Sequence, residues 1–228
     1  MTTFNRQKFY DFSKSTTLGK KIFGFKIINS TNDHADLLEK RALKLKKDDA
    51  FFKKLNGTVI ISEIQSSGRG RNYKKWFSPS GGLWFTLILI LKIRAAEVEK
   101  INIIMAVSVH EAARALFGLN LKIKWPNDIY FEDKKICGIL SELSNSLTYS
   151  FLNIGVGINA NNDFSKTGTG NIFGDTAAAS LKEITNNEVD REKLLACIIE
   201  HFEINYENYI KTGDFKNILL KIDGTVSI

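Results

Sequence analysis

Two apolar runs on either side of a glycine- and arginine-rich segment constrain the fold of this chain more than any other feature. Thr58–Ile64 and Leu83–Leu91 are uncharged apart from one glutamate, and each has the length of a buried strand. The stretch between them begins with the polar segment Gln65–Trp76. We therefore predict that the two runs are paired strands of one sheet and that the segment between them forms a loop.

The segment Gln65–Trp76, called the glycine–arginine loop below, has the composition expected for binding an anionic, partly planar ligand. Gly68 and Gly70 allow positive φ angles and a close approach of the backbone to a ligand. Arg69 and Arg71 carry permanently charged, planar donor groups that suit carboxylates and phosphates, and the final tryptophan can stack on a ring. A solvated hairpin or a nucleic-acid contact has a similar composition, so the loop alone leaves these alternatives open.

Length and composition indicate an ordinary globular protein. The 228 residues are enough for one sizeable core, and 43% of them are hydrophobic. The net charge of +7 permits binding to nucleic acid without requiring it, because the lysines are spread along the chain. The densest cluster, Lys40–Lys54, is interrupted by acidic residues and is typical of the polar face and exit of a helix.

Several classes of protein are not indicated by the sequence. Cys137 and Cys197 lie in apolar surroundings, which predicts free thiols, and the three histidines show no metal-ligand spacing. The N-terminus lacks the apolar core of a secretory signal. The longest apolar run, Leu83–Leu91, is far shorter than the ~20 residues of a membrane-spanning helix. We therefore expect a cytoplasmic protein that makes no membrane contact.

The order of predicted elements favours an α+β fold with a mixed, largely antiparallel sheet flanked by helices. Residues 1–20 are expected to form a loosely attached leader, residues 21–212 the main domain, and residues 213–228 the start or remnant of a small C-terminal β domain. Besides the two runs above, strands are predicted at 21–28, 121–124, 129–131, 135–142, 149–154 and 219–228. Helices are predicted at 33–47, 95–117, 176–184 and 190–209, and a mobile loop at 161–175.

Polar groups and glycines recur where these strands end. Lys124 and Asp128 flank a Trp-Pro-Asn turn and suit a nucleotide phosphate and its Mg²⁺ ion, which prefers one or two carboxylates plus phosphate oxygens. Lys135 begins an apolar strand and either reaches water or binds an anion. Gly138 and the Gly155–Asn159 segment would let a ligand approach the strand backbone. Ser30–Asn32 either cap a helix or form a polar recognition site.

Taken together, these stretches resemble the catalytic domain of biotin protein ligases. The resemblance rests on STN at Ser30–Asn32, QSSGRGRNYKKW at Gln65–Trp76, KWPNDIY at Lys124–Tyr130, KICGILSE at Lys135–Glu142 and GVGIN at Gly155–Asn159. It implies a fold like that of class II aminoacyl-tRNA synthetases. It also implies activation of biotin by Mg-ATP to biotinyl-5′-AMP, followed by transfer of biotin to a lysine of a biotin carboxyl carrier domain.

The resemblance also implies roles for individual residues. Lys135 and Arg69 are the implied catalytic residues. The implied biotin-binding residues are Ser30, Thr31, Asn32, Gln65, Gly68, Arg69, Gly70, Arg71, Lys135, Gly138, Gly155 and Gly157. The implied ATP-binding residues are Arg71, Trp76, Lys124, Asn127, Asp128, Ile158 and Asn159, with Trp76 stacking on adenine. Asp128 is also the implied Mg²⁺ ligand.

Two departures from the family pattern and two alternatives accompany this interpretation. Tyr73 and Lys74 stand where the family loop often carries glycine and arginine, so the loop can close differently around a nucleotide. No helix-turn-helix pattern precedes residue 21, so specific DNA binding is not expected, and the sequence leaves open whether the protein is a homodimer. A lipoate or octanoate ligase or transferase of the same superfamily and a nucleic-acid-binding module remain the alternative functions.

Overall fold

The computed structural model of the protein describes residues 3–45, 48–72, 74–91, 97–125, 127–145, 149–164, 177–222 and 226–227. Its elements in chain order are α1 (Arg6–Phe12), β1 (Ile22–Ile28), α2 (Thr31–Lys44), α3 (Asp49–Leu55), β2 (Val59–Gln65), β3 (Leu83–Leu91), α4 (Val98–Phe117), β4 (Lys122–Lys124), β5 (Asp128–Phe131), β6 (Lys134–Asn145), β7 (Ser150–Ile158), α5 (Leu181–Thr185), α6 (Arg191–Thr212), α7 (Lys216–Leu220) and β8 (Val226–Ser227). Within these ranges, no helix combines the length and the apolarity needed to cross a bilayer.

The described strands form one eight-stranded sheet in the order β1-β2-β3-β7-β6-β5-β4-β8. Strand β1 is parallel to β2 and β4 is parallel to β8, whereas all the other neighbours are antiparallel. The predicted pairing of the two apolar runs is confirmed, because β2 and β3 are antiparallel neighbours. The prediction of a mixed, largely antiparallel sheet flanked by helices is confirmed as well.

One face of the sheet carries the main apolar core, which α4 and α6 cover. Ile101, Ile104 and Met105 of α4 are fully buried, as the helical spacing of apolar residues predicts. Leu195 and Phe202 of α6 are equally buried and belong to the same cluster. Burying each such side chain contributes about 1.5–3 kcal/mol. The packing on this face therefore stabilises the sheet.

The opposite face is only partly covered by helices. Ala35 of α2, together with Phe52 and Leu55 of α3, packs in a second, smaller cluster against Ile88 and Phe151 of the sheet. Helix α3 lies where the sequence predicted only the exit of a helix, and Asp48 caps it by accepting a hydrogen bond from the Phe51 N–H. Helix α2 begins at the edge of this cluster, and beyond that point the glycine–arginine loop borders the sheet.

The prediction that residues 1–20 are loosely attached is wrong. Phe9 of α1 is fully buried. The Glu203 carboxylate on α6 accepts hydrogen bonds of 2.6–3.0 Å from the backbone N–H groups of Thr16, Thr17 and Leu18. Burial acts to raise the pKa of Glu203, but a hydrogen bond from the Thr17 hydroxyl together with these backbone bonds outweighs it and lowers the pKa to about 2. The anchor lies about 190 residues away along the chain, so local composition did not reveal it.

The other differences lie near the C-terminus. Helix α5 covers only Leu181–Thr185, and Ser180 caps it, instead of a helix from residue 176 to 184. The strand predicted at 219–228 is replaced by α7 and the two-residue strand β8, which pairs with β4 of the main sheet. Division of the chain at residues 20 and 212 stays a prediction. The loop predicted at 161–175 lies outside the described residues from 165 onward.

Candidate active site

A cavity of about 720 Å³ opens where the glycine–arginine loop lies over strands β6 and β7. Gly138 and Gly157 face each other across these strands. The indole of Trp76 lies against both glycines, because a Cβ atom would stand 2.7 Å from the indole at Gly138 and 2.4 Å at Gly157. The close approach that the two glycines were predicted to allow is therefore made by a side chain of the protein itself. Trp76, whose ring also meets Trp84 edge to face, forms part of the cavity wall.

The glycines of the loop act differently from the prediction. Neither Gly68 nor Gly70 has a positive φ, and the left-handed residue at the tip of the loop is Asn72, with φ of 53°. Gly68 is required for space, because a Cβ atom there would lie 2.4 Å from the carbonyl oxygen of Trp76. Gly70 has ordinary room around it, since the nearest atom to its Cβ position, the carbonyl oxygen of Lys74, is 3.5 Å away. The sequence thus identified the loop correctly and misassigned the reason for its glycines.

The first residues of α2 face the cavity, and their side chains bond to the sheet. Ser30 is the N-cap residue, yet its side chain makes no capping hydrogen bond. The backbone N–H and hydroxyl of Thr31 donate to Gln65 Oε1 at 2.8 and 3.1 Å. The Gln65 amide in turn donates to the Ser78 hydroxyl at 2.8 Å. Helix capping is one of the two roles that the sequence left open for this segment, and the side chains of Ser30 and Thr31 do not have that role.

Asn32 is held from three directions beside Thr31. Its amide nitrogen donates to the carbonyl oxygen of Leu140 at 3.2 Å and to the Glu142 carboxylate at 2.7 Å. Its amide oxygen accepts from the Thr86 hydroxyl at 2.6 Å. Gly155 makes room for the amide, because a Cβ atom there would lie 2.4 Å from Asn32 Oδ1. These three bonds fix the orientation of the Asn32 amide at the polar end of the cavity.

The two arginines of the loop have different surroundings. One guanidinium nitrogen of Arg69 lies 2.5 Å from Asp33 Oδ1, and the other donates to both oxygens of Glu142 at 2.7 and 3.0 Å. Arg71 is exposed and is 3.5 Å from the amide oxygen of Asn127. Arg69 therefore lines the cavity with its charge already paired, whereas Arg71 presents its charge to the cavity and to solvent.

Lys135 is the most enclosed cation that lines the cavity. Its ammonium group lies 2.7 Å from Asp128 Oδ2 and 5.2 Å from the centre of the Trp76 ring, and its side chain is only 14% exposed. The backbone of Lys135 bonds to Ala177 and Ala179, and the Asn159 amide donates to its carbonyl oxygen at 3.2 Å. These bonds fix the strand backbone at Lys135, and the contacts with Asp128 and Trp76 orient its ammonium group. Burial raises the pKa of the neighbouring Cys137 thiol far above its ordinary value, which opposes formation of a nucleophilic thiolate.

The mouth of the cavity carries a positive rim. Arg71, Lys74, Lys75 and Lys124 are all exposed and all line the cavity. None of the four has a carboxylate partner in the described part of the chain. Asp128 is the sole carboxylate among the described lining residues, and it already faces Lys135. A cavity of this charge favours a ligand with several negative charges.

Most of the predicted site residues meet in this cavity. The lining includes Ser30, Thr31, Asn32, Gln65, Arg69, Gly70, Arg71, Trp76, Lys124, Asn127, Asp128, Lys135, Gly138, Gly155 and Gly157. Three predicted residues do not line it, namely Gly68, Ile158 and Asn159, and all three are buried. The sequence did not single out the lining residues Asn72, Lys75, Tyr130, Ile139, Leu140 and Val156, nor the supporting residues Asp33, Ser78, Thr86 and Glu142. The quoted motifs already contained all six of these lining residues and Glu142, but only the contacts in the structure distinguish them from the other residues of the motifs.

Comparison with known proteins agrees with this geometry. The model of the Biotin/lipoate A/B protein ligase family matches residues 24–159. The Bifunctional ligase/repressor BirA of Bacillus subtilis (strain 168) is 30% identical over 205 residues, which cover 88% of this chain and 58% of that protein. Biotin–protein ligase 2 of Arabidopsis thaliana is 31% identical over 168 residues, which cover 71% of this chain and 49% of that protein. The chain thus spans about half the length of these relatives.

Among solved structures, the biotin protein ligase from Aquifex aeolicus in complex with biotin and ATP superposes with a TM-score of 0.72. It is 28% identical in sequence, and the match covers 91% of this chain and 78% of that protein. The similarity therefore extends over most of the fold described above.

Proposed function

The chain belongs to the Biotin/lipoate A/B protein ligase family, and we propose that it is an ATP-dependent biotin protein ligase. The observation that carries the proposal is the convergence of all five motif segments on one cavity, with an enclosed lysine at its centre and a cationic rim at its mouth. The named relatives are biotin–protein ligases or a bifunctional ligase/repressor, and the Aquifex aeolicus structure holds biotin and ATP.

In the first half-reaction, a biotin carboxylate oxygen attacks the α-phosphorus of ATP. A new oxygen–phosphorus bond forms, the bond between the α-phosphorus and the β-phosphate oxygen breaks, and pyrophosphate leaves. The two reactants repel each other because both are anions, and cations must offset that repulsion. The enclosed Lys135 is placed to contact both anions, while Arg71, Lys74 and Lys124 on the rim suit the phosphates of ATP and the departing pyrophosphate.

The polar end of the cavity is assigned to the uncharged ring of biotin. The amide and hydroxyl groups of Thr31, Asn32 and Gln65 form an ordered network at this end, and Ser30 keeps a side chain unused in capping. Such groups provide both donors and acceptors for a cyclic urea. Trp76, which rests on two glycines, offers the aromatic wall for the adenine ring.

In the second half-reaction, a neutral lysine amine of the acceptor attacks the carbonyl carbon of biotinyl-5′-AMP. The amide bond forms, AMP leaves with the electron pair of the broken carbon–oxygen bond, and the amine releases a proton. We assign the acceptor to the class of biotin carboxyl carrier domains. The open mouth of the cavity leaves an approach for a lysine side chain on the surface of such a domain.

Magnesium is assigned as the ion that arrives with ATP. The cavity wall offers one carboxylate, Asp128, and the amide of Asn127 beside it. Mg²⁺ usually binds one or two carboxylates together with substrate phosphates and water, so this donor set fits an ion shared with ATP. It does not fit an ion held by the protein alone, and the described residues contain no cluster of three or more acidic, histidine or cysteine ligands.

The test is biotin-dependent exchange of pyrophosphate into ATP in the presence of Mg²⁺, which isolates the first half-reaction from the acceptor. Exchange that requires biotin and ignores lipoate supports the proposal. Exchange with lipoate or octanoate instead would assign the chain to the other branch of the family. If neither exchange nor biotin binding by calorimetry occurs, the proposal fails, and salt-dependent binding to oligonucleotides becomes the next measurement.

A further inference from the structure

We propose that Glu142 is a positioning residue, which sets the geometry of the ligand cavity by holding Asn32 and Arg69 at the same time. The inference rests on the proposed function for its kinetic consequences, although its structural basis is independent of it. Glu142 lies on β6, and it does not itself line the cavity. It therefore acts through the two side chains that it binds.

The contacts of Glu142 join two walls of the cavity. Its Oε2 atom lies 2.7 Å from the amide nitrogen of Asn32 and 2.7 Å from a guanidinium nitrogen of Arg69. Its Oε1 atom accepts a second bond from the same guanidinium nitrogen at 3.0 Å. Asn32 belongs to the first turn of α2, and Arg69 belongs to the glycine–arginine loop. One carboxylate on the sheet thus sets the positions of a helix terminus and a loop.

The backbone bonds of the loop show why this link is needed. Its base is tied to the end of β1 by bonds of 2.9 Å from the N–H groups of Ser66 and Ser67 to the carbonyl oxygens of Ile28 and Asn29. Farther out, the loop bonds to itself, with the Gly70 N–H donating to the Lys74 carbonyl oxygen at 2.7 Å. These backbone bonds leave the outer part able to move as one hairpin. Arg69 links it to β6 and α2, and Arg71 adds a longer contact of 3.5 Å with the Asn127 amide oxygen.

The acidic partners of Arg69 differ in what they can fix. Asp33 lies on α2, so its contact with Arg69 joins the loop to the helix. Glu142 joins the loop to the sheet and also orients Asn32, whose amide oxygen accepts a hydrogen bond from Thr86. Neutralising Glu142 should consequently loosen the outer loop and release the Asn32 amide, while Asp33 still retains part of the Arg69 contact. The charged side chains Arg69, Asp33 and Glu142 are 42–43% exposed, and the buried Asn32 amide keeps its bond to the Leu140 carbonyl oxygen, so the effect on overall stability should be small.

The first test does not depend on ligand. Trypsin cleaves after arginine and lysine, and the outer loop contains Arg71, Lys74 and Lys75. We expect Glu142→Gln to increase the rate of cleavage in this loop about tenfold, with an unchanged thermal midpoint. Asp36→Asn is the matched control, because Asp36 forms an exposed ion pair with Lys40 on α2, away from the loop. Equal cleavage rates in Glu142→Gln and the wild type would overturn the proposal.

The second test separates positioning from a general structural role. In pyrophosphate exchange, we expect Glu142→Gln to raise KM for biotin about tenfold and to leave KM for ATP within about twofold. Arg69→Gln should raise KM for biotin as well, and adding Glu142→Gln to it should have less than the multiplied effect, because the two residues share one contact. Multiplicative effects, or equal changes in both KM values, would contradict the proposal. Failure of the wild type to bind biotin would refute the proposed function and leave the trypsin result to decide the role of Glu142.

Discussion

Two arginine–carboxylate clusters among the described residues differ mainly in burial. Arg191 and Glu63 are bonded at 2.9 and 3.3 Å, and their side chains are 7% and 10% exposed. The same guanidinium donates to the Gly82 carbonyl oxygen, and Glu63 accepts the Phe4 N–H, so the cluster joins α6, the sheet and the N-terminal segment. The cluster of Arg69 has similar distances but is more than 40% exposed.

The comparison shows that an arginine–carboxylate pair has one role when it is buried and another when it is half-exposed. In the buried cluster, removing one partner leaves a charge away from water, which costs about 3–5 kcal/mol. In the half-exposed cluster, water replaces much of a lost contact, so the expected contribution to stability is about 0–1 kcal/mol. The first cluster therefore maintains the fold, and the second determines where the loop lies over the cavity.

The largest effect should come from the buried cluster. We expect Arg191→Met to lower the free energy of unfolding by about 3–5 kcal/mol, because Glu63 is left buried without its cation. Urea unfolding measures this loss. The double variant Arg191→Met with Glu63→Leu should regain much of it, since the isolated charge is gone. A double variant that is no more stable than the single one would show that the burial of charge is not what distinguishes the two clusters.

The next effect should appear in activity alone. Lys135→Ala should slow pyrophosphate exchange by about 10²–10³-fold, the usual consequence of removing one group that stabilises developing charge. Urea unfolding should change little, because the lysine faces the cavity. Lys134→Ala is the matched control, since Lys134 is the exposed neighbour on the same strand. Wild-type exchange in a folded Lys135→Ala variant would remove this residue from the mechanism.

A third case is a buried carboxylate, Glu39, that forms no ion pair in the described part of the chain. Glu39 of α2 is 1% exposed, and burial raises its pKa to about 7, against the opposing effect of hydrogen bonds from Ser144 and Asn153. Asp36 also raises the pKa and Lys40 lowers it. Since the folded state binds this proton more tightly than the unfolded state, stability should fall as pH rises from 4.5 to about 7.

The total fall attributable to Glu39 should be ~3 kcal/mol, as the rise of its pKa from 4.5 to about 7 implies. We expect Glu39→Gln to remove this fall and to be more stable than the wild type at pH 8. Glu99→Gln, at an exposed position of α4, should leave the pH dependence unchanged. Unfolding curves recorded at several pH values provide the measurement, and parallel pH profiles for Glu39→Gln and the wild type would contradict the assignment.

The smallest effect should come from a single methyl group at the cavity. Gly157→Ala places a Cβ atom 2.4 Å from the Trp76 indole, which should displace the ring at a cost of about 1–3 kcal/mol. We expect a changed tryptophan emission spectrum and a raised KM for ATP. Gly70→Ala is the matched control, because its Cβ position has ordinary contacts and its φ is not positive. Equal spectra for both variants would mean that the position of the Trp76 ring does not depend on the absence of a side chain at residue 157.

Much of the site could be predicted because its residues occur in short runs with distinctive chemistry. Lys135, Asp128 and Trp76 were identified from such runs, and the structure brings them together in one cavity. The role of Arg69 could not be read in this way. Its charge is a property of the sequence, but its pairing with Glu142 joins residues 73 positions apart.

The limits of the sequence appear equally in the fold. Apolar periodicity predicted β3, α4 and most of α6, because a helix or strand with one apolar face must bury that face. The N-terminal segment was misjudged, because the buried Phe9 and the anchoring Glu203 lie on different elements. The buried Glu39 was equally hidden, since an acid in a lysine-rich helix looks like part of a solvated face.

By itself, the sequence determined which chemical groups are available and which of them lie at the start or end of a helix or strand. It could do so because short-range periodicity, glycine positions and charge are local properties. Only the tertiary structure decided which charges remain available to a ligand and which are paired within the protein. That difference depends on distance and burial, which arise when segments far apart in the chain pack together. Arg71 and Arg69, two residues apart, therefore differ in their charged partners although their sequence context is nearly the same.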